Sequence, residues 1–116
     1  MALVWVYGTL RRGEDNHHLL RDCAFLGQWW SPPRFYLIDL GRYPGIISGQ
    51  QSVLGELYVA DEATMSELDV LEEVPQAYTR ETLLTPWGEA YYYHYRMSCS
   101  GLAAIPSGDW RCRYVC

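Results

Sequence analysis

The N-terminal segment carries the clearest structural pattern in the chain: residues 2–10 read ALVWVYGTL. Residues 2–7 form an unbroken apolar and aromatic run, which is typical of a central strand buried on both faces. Gly8 then ends the run, and a polar loop containing Arg11 and Arg12 follows. The segment therefore predicts a buried strand at the centre of a sheet, with a loop at its carboxyl end that begins at a glycine.

The chain beyond this strand is organised in short elements. Periodicity and turn residues predict strands over 25–30, 34–39, 53–60, 79–84 and 89–96, turns at 41–45 and 48–52, and a short helix over 17–23 with Asn16 as its N-cap. Residues 97–116 show no readable periodicity. Hairpin-like connections outnumber crossovers, which favours a mostly antiparallel sheet.

The strongest helix prediction covers residues 61–73. Asp61 is a plausible N-cap, Met65, Leu68 and Leu71 recur every three residues, and Pro75 follows the segment. The pattern as a whole predicts one α+β (mixed α/β) domain over residues 1–116. We expect a small curved, mostly antiparallel sheet or barrel with two short helices.

Charge and composition exclude several function classes. The 116 residues carry a net charge of -5, and the nine basic residues are all Arg. An acidic chain without a basic stripe does not favour nucleic acid, and the absence of Lys removes Schiff-base chemistry and a P-loop. No apolar run approaches the roughly 20 residues of a membrane span, and the start has no basic lead before its apolar stretch. We therefore expect a cytoplasmic protein with no membrane partner.

The metal-binding and nucleophilic residue types show no recognisable arrangement. No Cys-x-x-Cys pair occurs, so we expect reduced thiols, although Cys112 and Cys116 could pair. The three histidines are best explained as structural, because His17 and His18 are adjacent and His94 lies in a tyrosine-rich strand. A serine-hydrolase elbow is also absent. These patterns predict no metal site.

Glu72 is the candidate acid/base in the sequence. At 3.6 residues per turn it shares a face with Leu68 and Met65, whereas Glu73 falls on the polar side with Asp69. Desolvation among apolar side chains would raise the pKa of the Glu72 carboxyl into a range useful for proton transfer. The alternative is that the helix frays before Pro75, and that Glu72 reaches water or pairs with an Arg.

The loop at Tyr7-Gly8-Thr9-Leu10 is the candidate binding element. A buried strand that stops at a glycine can present successive backbone N–H groups to a carboxylate or a developing oxyanion. The alternative is an ordinary strand-to-loop exit, and the local pattern alone does not separate the two.

Several short motifs occur together in a characteristic order. They are Val6-Tyr7-Gly8-Thr9-Leu10-Arg11-Arg12-Gly13 with Asn16, Gly41-Arg42-Tyr43-Pro44-Gly45, Val53-Leu54-Gly55-Glu56-Leu57-Tyr58, Leu68-Asp69-Val70-Leu71-Glu72 and Tyr78-Thr79-Arg80. In this order and spacing the chain resembles the gamma-glutamylcyclotransferase-like superfamily from about residue 3 to residue 96. Its N-terminal segment is most similar to the gamma-glutamylamine cyclotransferase branch and its small bacterial relatives.

The resemblance implies a compact mixed α/β fold around a barrel-like sheet with a pocket at its mouth. It implies that Tyr7, Gly8, Thr9 and Leu10 hold a small-molecule gamma-glutamyl substrate, that Glu72 moves the proton, and that Tyr78 lines the pocket. It also implies release of 5-oxoproline and a free amine or amino acid without metal or cofactor. The alternative is a catalytically silent module that binds a gamma-glutamyl or carboxylate ligand; whether the protein is a monomer or a homodimer stays open.

Overall fold

The computed structural model describes residues 1–114 and contains seven strands, one α-helix and two short 3₁₀ helices. The elements in chain order are β1 (Ala2–Val6), a 3₁₀ helix (His17–Leu20), β2 (Ala24–Trp30), β3 (Phe35–Asp39), β4 (Pro44–Ser48), β5 (Leu54–Ala60), α1 (Glu62–Leu71), β6 (Tyr78–Thr85), β7 (Gly88–Tyr95) and a 3₁₀ helix (Trp110–Cys112). None of the helices in this part of the chain is long and apolar enough to span a membrane.

Strand β1 lies at the centre of the main sheet, whose order is β2-β5-β1-β7-β6. It pairs antiparallel with β5 and parallel with β7, so that Val4 lies opposite both Tyr58 and Tyr91. The β2–β5 and β6–β7 pairs are antiparallel. Strand β1 is therefore interior to the sheet, and hydrophobic clusters cover both of its faces, which explains why its sequence is continuously apolar. The predicted central strand and the mostly antiparallel α+β fold are confirmed.

The sheet curls but does not close into a barrel. Strands β2 and β6 remain at its two edges, and β3 and β4 form a separate two-stranded sheet. The β6–β7 turn nevertheless reaches the opposite edge, because a Cβ atom added to Gly27 of β2 would lie 3.0 Å from the Trp87 ring. Of the two architectures expected from the sequence, the curved sheet is the one observed.

Alternating side chains of β1 enter two hydrophobic clusters, one on each face. Trp5 and Tyr7 pack into a cluster with Trp110, while Val4 and Val6 pack against Leu68 of α1 and its neighbours. The C-terminal segment therefore covers one face of the sheet, although its sequence shows no periodicity.

Two local predictions from the sequence were wrong. The predicted short helix is present as a 3₁₀ helix over His17–Leu20, but the Asn16 side chain makes no capping hydrogen bond: its amide donates instead to Thr9 Oγ1 at 2.9 Å. The turn predicted over 41–45 ends earlier, because Pro44 and Gly45 begin β4. On the polar side of α1, the Asp69 carboxylate accepts a hydrogen bond from the Tyr93 hydroxyl and pairs with Arg80.

Candidate active site

A cavity of about 130 Å³ opens where the carboxyl end of β1 meets the end of α1 and the start of β4. Its wall includes every residue that the sequence analysis named as a site candidate: Tyr7, Gly8, Thr9, Leu10, Glu72 and Tyr78. These residues come from two distant parts of the chain, residues 7–10 and 72–78, and the fold brings them together because β1 and α1 end, and β6 begins, at the same place.

Backbone hydrogen bonds at the end of α1 fix the position of Glu72. The helix begins at the Asp61 cap, whose carboxylate accepts from the Thr64 amide, and it ends with Glu72 as the C-cap residue. The amides of Glu73 and Val74 then donate to the carbonyls of Val70 and Asp69, which is the Schellman arrangement. The helix therefore does not fray before Pro75, and among residues 1–114 no arginine forms an ion pair with Glu72.

The Glu72 carboxyl is held in a desolvated environment. Its side chain is half-buried in the cavity wall, and among residues 1–114 it makes no ion pair or hydrogen bond. Burial raises the pKa of Glu72 to about 7. The negative end of the helix dipole acts on the same carboxylate and disfavours its ionised form as well. At neutral pH this group is thus present in both its acid and its base forms.

Three tyrosines surround Glu72 without donating to it. The Tyr7 hydroxyl donates to the Tyr93 carbonyl at 2.6 Å, the Tyr78 hydroxyl to the Pro44 carbonyl at 2.7 Å, and the Tyr93 hydroxyl to Asp69 at 2.8 Å. Burial and the nearby Glu72 carboxylate raise the pKa of both Tyr7 and Tyr78, so these hydroxyls stay protonated. Because each hydroxyl is already engaged, none of them stabilises the Glu72 carboxylate.

The loop after β1 uses its carbonyl groups for internal hydrogen bonds. The Gly8 carbonyl accepts from the Arg11 amide at 3.0 Å, and the Thr9 carbonyl accepts from the Asn16 amide at 2.9 Å. Within the described residues, no hydrogen bond engages the amide N–H groups of Gly8, Thr9 or Leu10. Unpartnered amides in a cavity wall can bind a carboxylate or an oxyanion.

Asn16, Tyr43 and Tyr93 are among the further residues that line the cavity, and none of the three was proposed as a site residue from the sequence. Tyr43 belongs to the Gly41–Gly45 motif that supported the family resemblance, so that motif was the signal for it. Tyr93 could have been found from the alternation of β7. Asn16 was assigned to helix capping, and the contact with Thr9 that it makes instead depends on the folded loop.

The histidines and cysteines that the sequence analysis interpreted as structural residues or reduced thiols do not line this cavity. His94 Nδ1 lies 3.4 Å from the Tyr92 hydroxyl, and burial lowers the pKa of this imidazole. Among residues 1–114, no group of His, Cys, Asp and Glu side chains is arranged to hold a metal ion. Cys23, Cys99 and Cys112 are unpaired thiols, whereas Cys116, and with it the suggested Cys112–Cys116 pair, lies outside the described residues.

This arrangement defines a class of protein before any comparison is made. It is a small α+β protein with a pocket lined by a carboxyl group whose pKa is raised to about 7 and by loop residues whose backbone amides have no partner within residues 1–114. Such a pocket can hold a small anionic molecule and move one proton on it.

Comparison with known proteins identifies the family. Residues 4–112 match the model of the family described as Gamma-glutamyl cyclotransferase, AIG2-like. A Vibrio cholerae protein provisionally named a gamma-glutamylcyclotransferase is 50% identical over 108 residues, which cover 93% of this chain and 94% of the relative. The chain belongs to the gamma-glutamyl cyclotransferase, AIG2-like family.

Solved structures agree with this assignment. The solution structure of the Escherichia coli protein YtfP has a TM-score of 0.80 at 38% identity, and covers 97% of this chain and 98% of YtfP. An AIG2-like protein from mouse has a TM-score of 0.77 at 30% identity, with 90% of this chain and 85% of the mouse chain covered. The expected family and its fold are thus confirmed.

Proposed function

We propose that this protein is a gamma-glutamylcyclotransferase that converts a gamma-glutamyl amide into 5-oxoproline and releases an amine or amino acid. One observation carries the proposal. The unpartnered carboxyl of Glu72, whose pKa is about 7, lines the same cavity as the loop residues Gly8, Thr9 and Leu10. Family membership supports the reaction class, and the pocket supplies groups that the reaction requires.

The reaction is an intramolecular aminolysis. The alpha-amino nitrogen of the substrate attacks its own gamma-carbonyl carbon, a five-membered lactam forms, and the bond from that carbon to the amide nitrogen breaks. No water is consumed and no electron is transferred. A substrate held in the folded pose gains an effective molarity on the order of 10⁵ M or more. Much of the rate enhancement can therefore come from binding geometry.

Glu72 supplies the proton transfers. The alpha-amine of a free gamma-glutamyl compound is protonated at neutral pH and cannot attack a carbonyl. Ionised Glu72 accepts this proton, and the resulting carboxylic acid returns it to the departing nitrogen. The attacking nitrogen loses a second proton as the lactam forms, and this proton leaves with the released amine, which is an ammonium ion at neutral pH. A carboxyl group with a pKa of about 7 suits both steps, because neither its acid nor its base form is rare near neutrality.

The loop after β1 supplies the binding groups in this proposal. The amides of Gly8, Thr9 and Leu10 hold the substrate carboxylate or the developing oxyanion, while Tyr7 and Tyr78 form the enclosing walls. No metal or cofactor takes part. We also propose a cytoplasmic location, which is supported by the unpaired thiols in the described part of the chain.

A substrate panel tests the function directly. The purified protein is incubated with gamma-glutamyl amino acids, with a gamma-glutamyl-lysine isopeptide and with simple gamma-glutamylamines, and 5-oxoproline is measured. We expect release from at least one class, and the preferred class identifies the leaving amine. Calorimetric binding of 5-oxoproline without release from any compound would instead favour a silent binding module.

A further inference from the structure

A buried ionic cluster lies directly behind the binding loop, outside the cavity. The side chains of Arg11 and Glu56 are each only 1% exposed, and Arg11 Nε lies 3.3 Å from Glu56 Oε2. Arg11 Nη1 lies 2.7 Å from Asp109 Oδ1. Burying such charges is costly, and replacing one of these groups leaves the other charges unpaired. The cluster is not part of the proton transfer described above.

The cluster binds the backbone of the loop as well as the Arg11 side chain. Glu56 Oε1 accepts a hydrogen bond from the Arg12 amide at 2.9 Å and another from the Tyr58 hydroxyl at 2.9 Å. Glu56 lies on β5, opposite Val6 of β1, so it is part of the rigid sheet. The loop is thus fixed to the sheet immediately after Leu10, at the end of the row of free amides.

The C-terminal segment supplies the remaining charged residues of the cluster, Asp109 and Arg111. Asp109 caps the 3₁₀ helix that begins at Trp110, and Oδ1 of its carboxylate accepts from the Arg111 amide as well as from Arg11. The Arg111 guanidinium lies 3.5 Å from Glu14 and 3.7 Å from Glu56. Two residues of the loop, Arg11 and Glu14, therefore form ion pairs with residues near position 110.

We infer that Arg11, Glu56 and Asp109 are positioning residues, which hold the amides of Gly8, Thr9 and Leu10 in the geometry that binds the substrate carboxylate. Through Asp109, the C-terminal segment sets the affinity of a pocket that it does not line. The inference rests on the proposed function, because it assigns these amides to the substrate. A displacement of about 1 Å in a binding group can change a rate constant by roughly a hundredfold, so a loosened loop has a measurable effect.

The test compares two N-cap aspartates. Asp109→Asn removes the charge that pairs with Arg11 and keeps a capping oxygen; the control Asp61→Asn makes the same change at the cap of α1, far from the loop. For Asp109→Asn we expect KM to rise about tenfold with kcat within twofold, and the pH midpoint of kcat to be unchanged. The control keeps the wild-type KM. A merely structural role would lower the thermal midpoint of Asp109→Asn and leave its KM unchanged, which would overturn the inference.

Amide hydrogen exchange provides a readout that needs no substrate. In Asp109→Asn the amides of Arg11, Arg12 and Asn16, which hold the loop, should exchange at least tenfold faster, whereas the Met65 amide of α1 should not. Unchanged exchange at the loop would overturn the inference, whether or not the wild type turns over any gamma-glutamyl compound.

A second variant covers the case in which Asp109→Asn does not fold. Arg111→Gln removes the more exposed arginine of the cluster. The same measurements should then show smaller changes in the same direction, and wild-type values would contradict the inference.

Discussion

Glu72 and Glu73 are adjacent in the chain but occupy opposite environments. Glu72 is the C-cap of α1 with its side chain half-buried against the cavity, whereas Glu73 has a φ of 50° and an exposed side chain. The left-handed conformation of Glu73 ends the helix and directs its side chain towards solvent at the rim of the cavity, which both residues line. The helix end thus separates a carboxyl with a raised pKa from its neighbour, and the first predictions test this separation.

Replacing Glu72 with Gln should abolish turnover. The amide keeps the size of the side chain but cannot accept a proton from the substrate amine, and we expect kcat to fall by about 10²–10⁴-fold. The measurement is 5-oxoproline release from the best compound of the panel. Glu67→Gln is the matched control, because Glu67 is an exposed residue of the same helix. Equal turnover by Glu72→Gln and the wild type would remove Glu72 from the mechanism.

The pH profile of kcat/KM should rise through a midpoint near 7. Only ionised Glu72 can accept the proton, and burial raises the pKa of this carboxyl to about 7. Activity should therefore be lost as the pH falls below this value. A rise with its midpoint near 4.5, the ordinary value for a glutamate, would show that the carboxyl is not desolvated in the working enzyme.

The same pKa predicts that Glu72 destabilises the fold at high pH. The folded protein holds this proton more tightly than the unfolded chain does, so the free energy of unfolding falls as the pH rises from about 4.5 through about 7. The shift corresponds to a loss of up to about 3 kcal/mol. The side chain introduced by Glu72→Gln does not titrate. The free energy of unfolding of this variant should therefore exceed that of the wild type by up to this amount at pH 8, and the two values should be equal at pH 4.

Urea unfolding at the two pH values measures this difference. Glu67→Gln, at an exposed residue of the same helix, again serves as the control. A Glu72→Gln variant that is no more stable than the wild type at pH 8 would contradict the desolvation of Glu72.

The features that could be predicted from the sequence are those that depend on a pattern within a few neighbouring residues. The inward orientation of Glu72 follows from helical periodicity over residues 65–72, and the central position of β1 follows from its continuous apolar run. In both cases the pattern spans a few residues and reflects burial directly. The family motifs then located Tyr78 near the same pocket.

The features that were missed depend on contacts between distant segments. Asp109 and Arg11 are 98 positions apart, and no local pattern relates them. Gly45 resembled a turn residue, but a Cβ atom there would lie 2.8 Å from the Tyr95 side chain, so the glycine permits close packing of β4. Tertiary contacts of this kind override local preferences.

Glu73→Gly should stabilise the protein. A non-glycine residue in the left-handed region is strained, and glycine is the usual residue at this position of a Schellman motif. We expect a gain of about 1 kcal/mol in the free energy of unfolding. The same substitution at Glu67, inside α1, should cost about 1 kcal/mol, because glycine weakens a helix interior. Losses of equal size at both positions would mean that Glu73 does not adopt the left-handed conformation in solution.

Gly8→Ala should weaken ligand binding by at least about tenfold, because an added Cβ would lie 2.5 Å from Pro44 Cγ. Pro44 cannot retreat easily, since its carbonyl accepts the Tyr78 hydroxyl and β4 begins at this residue. The loop must therefore move, and its amides move with it. Calorimetric titration with 5-oxoproline measures the loss, and Gly101→Ala is the control for backbone strain, as Gly101 has a φ of 79° and no atom within 4 Å of an added Cβ. Wild-type affinity in a folded Gly8→Ala variant would show that the loop amides do not hold the ligand.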